Sequence, residues 1–213
     1  MTVYKIPQKT EAIVFDIDGT LYTSDAYVFE QVDVQIRHFA HLRGIPEDEA
    51  RRMIGDYRRE WAAAHNGAKI SLGNTFPAFG VPIETSIKWR DELLNPEQFL
   101  KEDSNLQKTL CDLQKKYRLI CVTNNPVKAA RRTLKAIGVD HLLPFVVGLD
   151  TCNKSKPSRE MLDAVFALTG VPFSACLSVG DRYDIDLALP LELGMGAVLV
   201  QGVEDVYRLP ELL

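Results

Sequence analysis

Hydrophobic residues along the chain change their period twice. Ala12-Ile13-Val14-Phe15 is an unbroken apolar run, the pattern of a strand buried on both faces. Helical spacing then takes over. Val28, Val32, Ile36, Phe39 and Leu42 step by three and four residues and predict a helix over 25–43. Ile45-Pro46 opens a second helix, running through Met53, Ile54, Tyr57 and Trp61. Pro46 suits its first turn, and Glu47, Asp48 and Glu49 suit its positive end. Residues 66–82 are rich in Gly, Asn and Pro and read mostly as loop, with Phe76 and Phe79 exposed. Residues 83–94 are helical again, and no strand pattern occurs from 23 to 98.

From Leu106 the texture alternates. Leu106, Leu110 and Leu113 mark a helix, and strands are predicted at 118–123, 144–148, 175–180 and 197–200. Between them lie helices at 126–137, 158–168 and around 187–193; Gly138 and Gly170 close the first two, and 204–213 forms a short last helix. Strands alternating with helices imply an α/β fold: a Rossmann-like parallel sheet covered by helices on both faces. The strand at 12–15 belongs to that sheet. The expected organisation is a core of residues 1–22 and 96–213 with an inserted all-helical domain over 23–95, hinged at Thr23–Ser24 and Asn95–Pro96.

Composition narrows the classes. A chain of 213 residues, 46% hydrophobic, can bury a substantial core. Its net charge of −4 implies no basic surface for a nucleic acid polymer. No apolar run approaches a membrane span, and the first residues lack the apolar segment of a secretory signal. Cysteines 111, 121, 152 and 176 show no zinc spacing; Cys121 and Cys176 lie in apolar runs and read as buried, inert thiols. A reducing, cytoplasmic setting fits these cysteines. Histidines 38, 41, 65 and 141 show no ligand spacing and read as surface or structural residues.

The chemistry concentrates at strand ends. The first strand runs into Asp16 and Asp18, which share a side if strand geometry persists. Carboxylates that close favour a bound cation, and a hard one such as Mg²⁺ prefers oxygen ligands. A bare Asp-Gly turn would explain the segment alone, but the other strand ends add to it. Ligands of open α/β sheets sit beyond the carboxyl ends of the strands. There the chain places Thr123, Asn124 and Asn125; then Lys154 and Lys156; then Asp181, Asp184 and Asp186. Carboxylates, a hydroxyl, amides and a lysine on one rim make the inventory of a metal-plus-phosphate site.

DIDGT at 16–20, VTNN at 122–125, SKPSRE at 155–160 and VGDRYDID at 179–186 resemble, in order, the four motifs of the haloacid dehalogenase superfamily. The resemblance implies Asp16 as nucleophile and Asp18 as general acid, then base. It implies Thr123 and Lys156 as catalytic phosphate contacts and Asp181 as a Mg²⁺ ligand beside Asp16 and the backbone carbonyl of Asp18. Proline directly after the lysine favours Lys156 over Lys154. Asp186 fits the motif's five-residue spacing from Asp181 and Asp184 the three-residue form; Asp186 is preferred as supporting the metal. Asn124 is either a phosphate contact or a structural turn.

Asp18 points to a phosphatase, with a phosphomutase as the alternative, because superfamily members that cleave carbon–halogen bonds lack an aspartate there. A non-catalytic binding protein would be expected to have lost one of these residues. An insertion between the first and second motifs matches the helical cap of one branch, and DGTLY with GNTFPAFGVP resembles its nucleotidase side, including pyrimidine 5′-nucleotidases, as well as phosphoglycolate phosphatase-like members. The implied substrate is a small phosphorylated metabolite, with Tyr22, Tyr27, Asn74, Thr75 and Phe76 as candidate contacts to its leaving group or, equally, as cap packing. The sequence names neither the substrate nor the oligomeric state.

Overall fold

The structure, a computed structural model, describes residues 1–67 and 69–213. The chain divides into two compact units, one of Met1–Asp25 with Pro96–Leu213 and one of Ala26–Asn95.

The first unit carries a six-stranded sheet: β1 (Thr2–Lys5), β2 (Ala12–Phe15), β3 (Arg118–Val122), β4 (Phe145–Val147), β5 (Cys176–Gly180) and β6 (Gly196–Leu199), in the order β1-β6-β5-β2-β3-β4. All pairings are parallel except β1 with β6. The apolar runs become strands because both faces are covered; every residue of β2 and β5 is buried. One face packs Val14, Ile120, Val122 and Val147 against Met161, Leu162 and Val165. The last three lie on the helix Arg159–Thr169, whose N-cap Ser158 accepts from the Met161 N–H.

The register sets up the site. Phe15 lies opposite Cys121 on one side and Val179 on the other, so the central three strands end almost level. The chain builds outward from β2 through β3 to β4, then crosses to β5 on the opposite flank. That reversal leaves a crevice beyond the end of β2, the usual place for a ligand in such sheets.

The edge strand β1 is absent from the sequence expectation. All four of its residues are exposed, so no burial pattern announces it; it is held by backbone pairing to β6. The helix expected near 187–193 is present as the short helix Ala188–Glu192, entered through a π-helical turn over Tyr183–Leu187 that the sequence did not announce. The tail forms a helix over Val203–Tyr207 and a 3₁₀ turn over Leu209–Glu211.

The second unit contains α1 (Asp25–Arg43, from Ala26 onward), α2 (Glu47–Ala64), α3 (Leu72–Thr75) and α4 (Ile83–Leu93). Its core gathers Ile36, Phe39, Ala40, Ala50, Ile54, Leu72, Phe76, Val81 and Trp89. Arg51 on α2 grips the buried Asp33 of α1 with two N–H donors, Nε to Oδ1 at 2.7 Å and Nη2 to Oδ2 at 3.0 Å. These donors, with Arg37, outweigh burial and hold the Asp33 carboxyl below its ordinary range.

Two expectations are corrected here. Of the α1 stripe, Ile36 and Phe39 are buried, but Val28, Val32 and Leu42 are exposed. Successive three-residue steps fall about 60° short of a full turn, so Leu42 drifts onto the flank; the hydrophobic cluster takes up α1 only from Ile36 onward. The stretch 66–82 is not mostly loop. The Ser71 hydroxyl caps α3 by accepting from the Asn74 N–H, and a 3₁₀ turn over Phe76–Phe79 follows, ended by Gly80 at φ 75°. Phe76 is wholly buried rather than exposed, with ring centroids 5.9 Å from Phe39 and 5.4 Å from Trp89. Ala68, within the same stretch, lies outside the described residues.

Phe76→Ala should therefore destabilise the helical unit by about 3–5 kcal/mol, the usual result of emptying a buried aromatic site. Urea unfolding followed by the fluorescence of Trp89, its ring neighbour, measures this directly.

Candidate active site

Asp16 follows directly on β2, and its N–H donates to Val179 O at 2.9 Å, extending the sheet by one residue. The chain then folds back tightly. The N–H groups of Thr20 and Leu21 both donate to Ile17 O, and Gly19 adopts φ 84°. This turn needs glycine twice over: the backbone is left-handed, and a Cβ there would lie 2.7 Å from Asp181 Oδ2. Gly180 gives similar access on β5, where a Cβ would meet Asp186 Cβ at 2.4 Å. Two missing side chains thus let Asp181 and Asp186 close on the end of β2.

The result is a cluster in which Asp16, Asp181 and Asp186 each present an oxygen within 4.8 Å of the others. Asp16 is only 4% exposed. Burial raises its carboxyl to about 7; Lys156 opposes the shift, and Asp186 and Asp18 add to it. Burial also raises the Asp181 carboxyl. Lys156 sits among these charges. Its ammonium donates to Asp186 Oδ1 at 2.7 Å and to Asp16 Oδ1. Burial works against its charge, but the two carboxylates prevail and raise its pKa. The side chain of Asn124 positions the loop behind it, Oδ1 accepting from the Lys156 N–H at 2.6 Å.

The cluster fits a hard divalent cation. Its donors are carboxylate oxygens. Asp181 Oδ1 is buried and receives no hydrogen bond, its nearest cationic neighbour being Arg182 Nε at 3.5 Å. A buried acceptor without a donor is costly unless a cation supplies the missing charge.

Asp18 points elsewhere. Its Oδ1 accepts from the Tyr22 hydroxyl at 2.6 Å; its Oδ2 accepts from Asn125 Nδ2 at 2.9 Å and, more weakly, from Thr123 Oγ1 at 3.5 Å. Thr123 is fully buried, and its oxygen accepts from the Asn125 N–H at 3.1 Å. Thr20 Oγ1 donates to the other oxygen of the nucleophile candidate, Asp16 Oδ2, at 3.3 Å.

The structure therefore brings together Asp16, Asp18, Thr123, Asn124, Lys156, Asp181 and Asp186. Lys154 and Asp184 are exposed, outside this set of contacts. Tyr22, expected as a leaving-group contact, turns its hydroxyl onto Asp18. In the other unit Thr75 donates to Ser71 O at 2.9 Å and is buried with Phe76, so neither is offered to a ligand; Asn74 is exposed. Tyr27 is buried. Sequence reasoning placed Asn125 on the rim but gave it no role, and the structure puts its amide on Asp18. The signal for Asn125 was the two-residue step from Thr123 past a strand end, which puts both on one side.

The family model of haloacid dehalogenase-like hydrolases matches residues 10–191. Pyrophosphatase PpaX of Listeria monocytogenes serotype 4a is 24% identical over 204 residues, covering 95% of this chain and 87% of that protein. The phosphoglycolate phosphatase of Colwellia psychrerythraea is 24% identical over 196 residues, covering 85% of this chain and 80% of its own. Among solved structures, a HAD phosphatase from Thermococcus onnurineus superposes with a TM-score of 0.66 at 22% identity, covering 95% of this chain and 97% of the other. The alternating sheet and its helices are thus the fold of this group. Among the described residues no helix is long and apolar enough to cross a membrane.

Gly19→Ala should lower the stability of the sheet-bearing unit by on the order of 1–2 kcal/mol from the left-handed backbone alone, and more as the new methyl displaces Asp181. Denaturant titration against the parent protein gives the difference.

Proposed function

Since the chain belongs to the haloacid dehalogenase-like hydrolases, we propose that it is a Mg²⁺-dependent phosphomonoester phosphatase working through an aspartyl-phosphate. One observation carries this reading. A buried aspartate bridged to a lysine stands beside two further carboxylates, while a second aspartate two residues away keeps out of that cluster and is held by neutral donors. The two aspartates thus have separate environments, as separate roles require.

In the proposed reaction an oxygen of Asp16 attacks phosphorus. The bond from phosphorus to the leaving oxygen breaks, and that oxygen takes a proton from Asp18. Asp18, now a carboxylate, then draws a proton from water as the water oxygen attacks the phosphorus of the aspartyl-phosphate. Phosphate departs, and Asp16 and the protonated Asp18 are restored. A dianionic ester approaching so acidic a site needs positive charge. Lys156 supplies part of it; Asp16, Asp181 and Asp186, with the Asp18 carbonyl, would hold Mg²⁺, which would supply the remaining positive charge. Even with Lys156 beside it, burial holds the Asp16 carboxyl at about 7, and a bound cation would favour its charged, nucleophilic form.

The names of the compared relatives, a pyrophosphatase and a phosphoglycolate phosphatase, support a small phosphorylated substrate and favour hydrolysis over mutase chemistry. The helical unit of residues 26–95, inserted in the chain between β2 and β3, is proposed as the cap that selects among such substrates. Phosphate release over a panel of pyrophosphate, phosphoglycolate, sugar phosphates and nucleoside monophosphates tests the substrate class.

Asp16→Asn is expected to reduce turnover by several orders of magnitude while leaving the circular dichroism spectrum unchanged, as loss of a covalent nucleophile does. Near-parental phosphate release from this variant would overturn the mechanism. Mg²⁺ should raise the unfolding temperature of EDTA-treated protein, with a stabilisation of about 2.7 kcal/mol at a hundredfold excess over its dissociation constant. Asp181→Asn should remove most of that shift.

A further inference from the structure

Asp18 is held at both ends by side chains from two different strand ends. The turn after β2 brings Tyr22 back alongside residue 18, where the two form an isolated backbone bridge, and the buried phenol donates to Oδ1 at 2.6 Å. From the end of β3, Asn125 donates its amide N–H to Oδ2 at 2.9 Å. Asn125 is itself buried and anchored, its own N–H donating to Thr123 Oγ1.

The two contacts are not equivalent chemically. The amide NH₂ of Asn125 can only donate, so Oδ2 must remain an acceptor and cannot carry a proton toward it. The Thr123 hydroxyl, which already accepts from Asn125 N–H, donates to the same oxygen. Oδ1 differs. Its contact with Tyr22 is to a hydroxyl, which can accept as well as donate, so Oδ1 can carry a proton without losing that partner.

We propose that Tyr22 and Asn125 are positioning residues that orient the Asp18 carboxyl and confine its transferable proton to Oδ1. This rests on the acid–base role proposed for Asp18. In the first step the proton leaves Oδ1 for the leaving oxygen, and the carboxylate so formed retains the donors from Tyr22, Asn125 and Thr123. In the second step a proton from water returns to Oδ1. Neither residue exchanges a proton with substrate, so their influence is greatest where proton delivery to the leaving group is hardest.

The test uses Mg²⁺-loaded full-length protein and single-turnover release of the leaving group from two substrates. Phosphoglycolate expels an alkoxide that needs the proton; p-nitrophenyl phosphate expels a phenolate that leaves without it. Tyr22→Phe and Asn125→Ala should each slow phosphoglycolate cleavage about tenfold, the scale of one hydrogen bond to a charged group, and p-nitrophenyl phosphate cleavage less than about threefold. Equal slowing of both substrates, or of neither, overturns the proposal. Asp18→Asn measured alongside separates the two levels. If it shows the same preference in stronger form while the positioning variants show none, this inference alone falls. If Asp18→Asn does not discriminate, the acid role falls and the inference with it. The two positioning variants act from separate strand ends, so misfolding of one, seen by circular dichroism, leaves the other to decide.

Discussion

The concentration of negative charge at the end of β2 is the constraint on which the sheet-bearing unit depends. Asp16 sits almost without solvent beside Asp181 and Asp186, with Asp18 two residues on. Such an arrangement repels itself, and burial removes the water that would screen it. Lys156 answers part of this by bridging Asp16 and Asp186. The half-exposed guanidinium of Arg182, 3.5 Å from Asp181, answers a little more. The remaining imbalance expresses itself in the raised carboxyls of Asp16 and Asp181. The same charge in a crevice is what the proposed cation-assisted phosphoryl chemistry would use.

Backbone geometry makes that concentration possible. Parallel strands that end level deliver their next residues to one rim, and the reversal of strand order at β2 keeps the rim open. Gly19 and Gly180 remove the two Cβ atoms that would hold the carboxylates apart. Asn124 and Asn125, adjacent in the chain, divide between the two sides of the site: one fastens the lysine loop and the other fastens Asp18. Packing beneath the sheet holds the strand ends in place, since Val14 and Val122 belong to the same cluster as the helix that follows Lys156.

The helical unit obeys different rules. Its stability comes from a compact aromatic and aliphatic core, and from the pairing of Arg51 with Asp33 that ties α1 to α2. Of the candidate substrate contacts at 74–76, Thr75 and Phe76 are buried while Asn74 is exposed. Phe76 looked exposed in a segment of Gly, Asn and Pro, yet the Ser71 cap and the turn after it carry the ring inward.

Local pattern in the chain was enough to determine five of the six strands, most of the long helices, the insertion between β2 and β3, and the gathering of polar residues past the strand ends. These follow from periodicity and turn chemistry, which act over a few residues. The edge strand β1 escaped because its pairing is with β6, nearly two hundred positions away, and leaves no burial pattern in its own residues. Motif spacing already favoured Lys156 over Lys154 and Asp186 over Asp184, and the tertiary structure places the favoured pair beside Asp16. Tertiary structure alone decided that Tyr22 and Asn125 meet on one carboxylate. Asp18 and Asn125 lie 107 residues apart, and their contact exists only once β2 and β3 have paired.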